Sequence, residues 1–337
     1  MTTTPQPCLT PRSASFPDVA GCPPLALIHH PGYRIPLPEK HPFPMDKFSV
    51  LKRQLDHQLA GYPQAVEWVT PEPADEDDLL QVHTRRYVHE FLTGTLSTQA
   101  QRRSGFVWNE ALRERSVLAV GGTLATVREA LARGLACNTA GGTHHAHPEA
   151  ASGYCLLNDI GVAARQALDE GVRQVLVVDL DVHQGDGTAL IFADEPRVFT
   201  LSLHAGSNFP ARKQKSDLDV PLPKGMGDEA YLEVLARTLE EVLARVRPEL
   251  VIFDAGVDPH AADRLGHLEL TDAGLYRRER HVIERCRATG AAVACVIGGG
   301  YDRDIEALAW RHSQLHRAAL DVWREAHGEP ALFGPPA

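Results

Sequence analysis

The chemistry of this chain is concentrated in Asp179-Leu180-Asp181-Val182-His183-Gln184-Gly185-Asp186-Gly187. The apolar run Val175–Val178 leads into it, which predicts a buried strand ending in a Gly/Asp loop. Asp181 and His183 are separated by one residue, and at a strand end that spacing points both side chains the same way. A carboxylate and an imidazole converging beside two further aspartates suit a divalent metal. An N-capping Asp and an unrelated His would explain this stretch alone. Three further clusters make the chemical reading stronger: Gly141-Gly142-Thr143-His144-His145-Ala146-His147, Asp254-Ala255-Gly256-Val257-Asp258 and Gly298-Gly299-Gly300-Tyr301. Asp181, His183 and Asp258 form a three-ligand set that leaves a coordination position open, as catalytic zinc requires. Such a metal lowers the pKa of water and polarises a carbonyl. His144 and His145 can transfer protons, and Tyr301, behind three glycines, can donate to an oxyanion. Together these are the parts of a metal-assisted amide hydrolase, provided that the clusters meet.

The elements that must bring them together alternate. Strands are predicted at 25–28, 66–69, 135–139, 174–181, 198–204, 250–253 and 291–297. Helices are predicted at 46–59, with Asp46 near its N-cap, and at 76–83, 86–92, 110–133, 158–170, 188–192, 228–247, 271–289 and 304–327. This order implies a single α/β domain with a mostly parallel central sheet flanked by helices on both faces. The polar clusters follow strands, at the edge where open α/β sheets bind ligands. His29-His30 and His147 read as strand-end and loop residues. Residues 205–225 read as a long polar connection, and Gly121-Gly122 marks a break or close packing within the helix 110–133. The Pro-rich segment after His30 is a loop fit to line a site entrance.

Length and composition set the bounds. The 337 residues suffice for one large α/β domain, expected over 25–330 and preceded by a disordered tail over 1–24. A formal net charge of -10 argues against nucleic-acid binding as the main role. No apolar run has transmembrane or signal-peptide length. Six cysteines without a CxxC pair suit free thiols in a reducing cytoplasm.

The motifs GGTHHAH (141–147), GYC (153–155), VDLDVHQGDG (178–187), LSLH (201–204), DAGVDPHAADRLG (254–266) and GGGY (298–301) stand in the order of the zinc-dependent histone deacetylase superfamily. The chain resembles that superfamily over roughly residues 25–325. HPFPMDKF (41–48), and HQG in place of HHG, look most like its class IV branch and bacterial relatives. The resemblance implies the arginase/deacetylase fold and hydrolysis of acyl-lysine in proteins or peptides. It also implies zinc (Zn2+) on Asp181, His183 and Asp258, where Fe2+ is also tolerated. His145 would be the general base and then acid, and His144 would stabilise the transition state. Asp179 and Asp186 would orient the two histidines, and Tyr301 would polarise the acyl carbonyl. Gly153, Tyr154 and Phe209 would line the substrate channel, and Leu265 its rim. A structural potassium ion (K+) would use Asp179, Asp181, His183, Ser202 and Leu203. Ala151-Ser152, Tyr154 and the basic 205–219 loop depart from many relatives and leave the acyl preference open. Class IV likeness raises the prospect of long fatty acyl groups. Competing readings are an amidohydrolase acting on a small acylated amine such as an acetylated polyamine, an arginase-like manganese enzyme, and a non-catalytic binding module. The retention of Tyr301 and both histidines speaks against the last.

Overall fold

Continuous apolar runs such as Val175–Val178 and Leu250–Phe253 carry no polar face, so both of their surfaces must be covered. The computed structural model, which describes residues 21–336, meets that demand with one eight-stranded sheet. The expected tail lies outside the described residues up to position 20. Gly21–Pro24 are irregular, and the Pro23 carbonyl accepts from the Trp323 indole at 2.6 Å.

The strands are β1 (Leu25–Ile28), β2 (Val66–Val69), β3 (Leu135–Asn138), β4 (Val175–Asp179), β5 (Val198–Ala205), β6 (Leu218–Leu222), β7 (Leu250–Asp254) and β8 (Ala292–Val296). Every neighbouring pair is parallel, in the order β2-β1-β3-β8-β7-β4-β5-β6. Only the edge strands β2 and β6 are partly exposed. The helices are α1 (Lys47–Leu59), α2 (Glu76–Leu80), α3 (Arg85–Thr93), α4 (Thr98–Ser104), α5 (Glu110–Arg133), α6 (Asp159–Asp169), α7 (Asp186–Ile191), α8 (Asp228–Val246), α9 (Asp272–Ala288) and α10 (Ile305–Ala326). Helices α5 and α6 pack together, while α1, α8, α9 and α10 form a second packed group. Asn109, Asn158, Thr271 and Asp304 cap α5, α6, α9 and α10 by accepting from the third backbone N–H of each helix.

This topology explains how distant motifs meet. The adjacent strands β3, β8, β7 and β4 are the ones whose C-terminal ends lead into residues 141–147, 298–301, 254–258 and 179–187. Their ends are level, with Asp179 opposite Asp254 and Asp254 opposite Val296. At about 4.8 Å per strand spacing, all four loops fall within one side-chain cluster.

Some expectations need correction. Residues 205–225 contain β6, an edge strand whose Pro221 disguises it. Helix α4 was not anticipated, because TQAQRRS has no apolar period. Asp46 precedes α1 but does not cap it; its carboxylate takes the Arg34 Nε at 2.7 Å. Helix α5 is unbroken at Gly121-Gly122. A methyl on Gly121 would overlap the Glu72 carbonyl, and one on Gly122 the Tyr33 hydroxyl, so close packing is the reason for both glycines.

Candidate active site

Asp181 and His183 leave the end of β4, and Asp258 follows β7. One ligand atom from each lies within 4.8 Å of the others, and all three side chains are buried. His183 Nδ1 is 3.0 Å from Asp181 Oδ1 and 3.2 Å from Asp258 Oδ2. Backbone N–H groups fix the carboxylates: Val182 donates to Asp258 Oδ1 at 2.8 Å, His183 to Asp181 Oδ1 at 2.9 Å, and Gly299 to Asp181 Oδ2 at 2.8 Å. Gly299 has to be glycine, since a Cβ there would press on Asp181 and Asp258. Beyond its approach to His183 Nδ1, Asp258 Oδ2 accepts no well-aligned hydrogen bond among the described residues, although the residue is fully buried. Burial, followed by the neighbouring Asp181 charge, pushes the Asp258 carboxyl up to about 7. Two buried carboxylates and an imidazole with an orphaned oxygen fit a divalent cation.

The histidine pair comes from the loop after β3. His144 Nδ1 meets Asp179 Oδ2 at 2.7 Å and stands 3.7 Å from Asp254 Oδ2. His145 Nδ1 meets Asp186 Oδ1 at 2.6 Å. Burial opposes charge on both rings, and the outcomes differ. On His144, Asp179, Asp181 and Asp254 outweigh burial and hold its pKa well above the ordinary value. On His145, burial and the neighbouring His144 prevail over Asp186 and bring it down to about 4. The two rings are thus driven toward opposite protonation states, the arrangement that separates an electrostatic partner from a proton acceptor. His147 is more than a loop residue. Its Nε2 holds Asp186 Oδ2 at 2.8 Å, so one carboxylate braces two histidines.

Tyr301 closes the opposite wall, 8% exposed, its backbone N–H donating to Asp263 at 2.6 Å. Burial, reinforced by Asp181 and Asp258, holds the phenol well above its usual pKa, so it stays a proton donor. The Tyr301 and His183 rings are 6.3 Å apart. Above them opens a cavity of about 820 Å³, lined among others by His145, Gly153, Tyr154, His183, Phe209, Leu265 and Tyr301. The Phe209 ring stands edge-on to His145 at 4.8 Å, and Leu265 is exposed at the mouth. Tyr154 has φ 64°, a left-handed backbone that non-glycine residues rarely adopt, and it packs on Phe43 and Phe106. All expected channel residues therefore face one cavity. The five residues expected around potassium lie at the adjoining ends of β4 and β5. There Asp179 pairs with Ser202 in register, and the Ser202 hydroxyl is hydrogen-bonded to His204 at 3.0 Å.

Sequence reasoning missed several residues. Lys47 is 2% exposed and donates to the Gly298 carbonyl at 3.1 Å, beneath the site; HPFPMDKF contained the signal. Asp254, fully buried with neither oxygen hydrogen-bonded, stands beside His144. On α9, Arg278 donates to the carbonyls of Leu180 at 3.1 Å and Gly256 at 2.8 Å. Those carbonyls belong to the two loops that carry Asp181 and Asp258. No sequence pattern pointed to Arg278.

Residues 41–316 match the model of the histone deacetylase domain. An uncharacterized protein of Picosynechococcus sp. is 52% identical over 298 residues, 88% of this chain and 99% of that protein. The acetoin utilization protein AcuC of Bacillus subtilis is 30% identical over 337 residues, 92% of this chain and 84% of that one. The crystal structure of an HDAC homolog from Aquifex aeolicus superposes with TM-score 0.71 at 26% identity, covering 91% of this chain and 84% of that one. The family implies a divalent metal, in keeping with the buried Asp181, His183 and Asp258. With this fold, these motifs and these relatives, the chain belongs to the histone deacetylase family and is a hydrolase acting on amide bonds.

Proposed function

We propose that the protein hydrolyses the side-chain amide of acyl-lysine in a protein or peptide, with zinc as its metal and a short acyl group as the one it removes fastest. The observation that supports this most directly is that His183, clustered with the buried Asp181 and Asp258, lines one cavity together with His145 and Tyr301, with His144 adjoining His145. A cation held by the three ligands supplies Lewis-acid polarisation and a more acidic water.

The chain's own residues do the rest. His145, oriented through Nδ1 by Asp186, has Nε2 left to take the proton of the attacking water and return it to the departing lysine amine. His144, held by Asp179, offers positive charge to the developing oxyanion. Tyr301 donates its phenolic proton in a hydrogen bond to the same oxygen. Tyr154 and Phe209 flank the path of the lysine alkyl stem. A potassium ion beside Asp179, Asp181, His183, Ser202 and Leu203 would stiffen the ligand loop. Free buried thiols at Cys137, Cys155, Cys286 and Cys295 accord with a reducing cytoplasm.

The foot of the site limits acyl length. The space beyond His144 and His145, bordered by Phe43, Lys47, Phe48 and Arg115, measures about 30 Å³. That is a small fraction of the roughly 820 Å³ cavity above it. It suits an acetyl methyl group and would need the aromatic wall to move for a fatty chain.

The test is a rate profile over acetyl- to myristoyl-lysine peptides, with acetylspermidine alongside and chelator-treated protein and Tyr301→Phe as controls. Acetyl-lysine is expected to turn over fastest, and both controls to lose activity. Faster myristoyl turnover would refute the small foot. Preference for acetylspermidine would move the substrate to the acylated amines. No metal-dependent hydrolysis of any of them would overturn the reading.

A further inference from the structure

Four arginines ring the mouth of the cavity: Arg102 and Arg103 from the last turn of α4, Arg212 from the loop after β5, and Arg264 from the loop after β7. All four are exposed, and none forms an ion pair with a carboxylate among the described residues. Elsewhere on the surface Arg53, Arg173, Arg197 and Arg285 each meet a glutamate. Among the described residues the one acidic side chain lining the cavity is Asp186, and both of its oxygens are taken by His145 and His147. Asp263, beside Arg264, is also turned inward, onto the N–H groups of Leu265, Gly266 and Tyr301. A chain with net charge -10 therefore surrounds its site entrance with unpaired positive charge, assembled from three separate segments. Ordinary solvated arginines have no reason to converge in this way, and a ring of one sign at a cleft attracts ligands of the other.

We propose that this rim selects acyl-lysines embedded in acidic peptide segments, with Asp or Glu flanking the modified residue. The inference rests on the acyl-lysine reading above and adds the substrate's sequence class. The position of the charges assigns the anion to the flanks. The acyl group lies at the base beside His145 and Tyr301, the lysine stem fills the channel, and only the residues on either side reach the mouth. An anion at the far end of the acyl group is disfavoured. The foot is too small for it, and its two cations are engaged, Lys47 with the Gly298 carbonyl and Arg115 with the Tyr33 carbonyl. The same rim repels a polyamine cation.

Two labelled peptides of equal length test this, each with a central acetyl-lysine, one with glutamate flanks and one with lysine flanks. The zinc-loaded full chain is used. kcat/KM is measured at low salt and at 0.5 M salt, and binding of both peptides is followed by fluorescence anisotropy on Tyr301→Phe. Single exposed ion pairs contribute little, so several acting together are expected to favour the acidic peptide by roughly three- to thirtyfold at low salt. Screening should shrink that ratio at high salt. The triple variant Arg102→Gln/Arg103→Gln/Arg212→Gln should bring it close to one, while Arg53→Gln/Arg285→Gln, which removes as much charge per site far from the mouth, should retain it. Equal rates for the two peptides, or preference for the basic one, overturn the rim proposal and leave the deacylase reading standing. Rim-dependent binding of the acidic peptide with no hydrolysis of either supports the rim and overturns the deacylase reading. Neither hydrolysis nor selective binding overturns both.

Discussion

Arg278 offers the sharpest test of how the fold holds the site. Its guanidinium is fully buried, bidentate to Glu279 at 2.6 and 3.1 Å, and bonded to the Leu180 and Gly256 carbonyls. Leu180 precedes Asp181, and Gly256 is two residues before Asp258, so one side chain ties both ligand loops to α9. Arg278→Met would leave Glu279 without its countercharge and two carbonyls without donors. Breaking a buried pair from one side costs about 3–5 kcal/mol. Arg278→Met/Glu279→Leu removes the stranded charge and leaves only the two orphaned carbonyls, at about 1–3 kcal/mol each. The double variant should therefore be the more stable of the two. The ligand loops are released in both, however, and loss of such support lowers metal affinity by roughly 10–100-fold. Arg278→Lys, a point charge instead of a fork, should fall between wild type and Arg278→Met.

The assays are urea unfolding, read at constant m, and zinc affinity by competition with a chelating dye. Stability regained in the double variant together with weak zinc binding is the expected pattern. A double variant that regains stability and also binds zinc as tightly as wild type would refute the positioning argument, leaving the Arg278–Glu279 pair purely structural.

Four further outcomes follow from the geometry. Asp186→Asn removes the carboxylate shared by His145 and His147, and should lower kcat roughly 10²–10⁴-fold with near-native stability, measured by steady-state kinetics and thermal melting. His83 donates through Nδ1 to the His147 carbonyl and accepts from the Asn158 N–H at Nε2, and burial brings it down to about 4. Its folded pKa lies below the unfolded value of about 6.5, so the unfolded chain takes up the proton first. The contribution is complete above pH 6.5 and is lost as pH falls toward 4, by about 3 kcal/mol. Urea midpoints across that window should drop, and His83→Gln should flatten the slope. Gly121→Ala would gain about 1 kcal/mol in an open helix, but the Glu72 carbonyl occupies the Cβ position, so a net loss of about 1–3 kcal/mol is expected. Gly61→Ala, with nothing within 4 Å, should be neutral or slightly stabilising in the same melts.

The contrast between Asp181 and Arg278 explains what was legible in the sequence. Asp181, His183, Asp258 and the His144-His145 pair stand directly after β-branched or apolar runs, and a parallel sheet converts "after a strand" into "at one edge". What one strand-end motif cannot specify is its neighbour, and that comes from the strand order β3-β8-β7-β4, in which segments more than 150 residues apart lie side by side. Arg278 and Glu279 sit in RRERH, a run that composition assigns to a solvated helix face, yet both are fully buried. Lys47 is buried for a similar reason, because its ammonium finds the Gly298 carbonyl. A local pattern records the side chains that chemistry places at loops. It does not record a buried charge whose partner is a backbone carbonyl, since every residue has one. The rim arginines form a third case. Arg212 stands in a visibly basic run, but Arg102 and Arg103 lie in the helix α4 that the apolar period missed, and their meaning arises only when three segments close around one mouth. Groups that support or select are thus encoded in packing, and groups that react are encoded in motifs. The variants most informative about this protein are accordingly those at Arg278 and at the rim, where the motifs make no statement and the fold does.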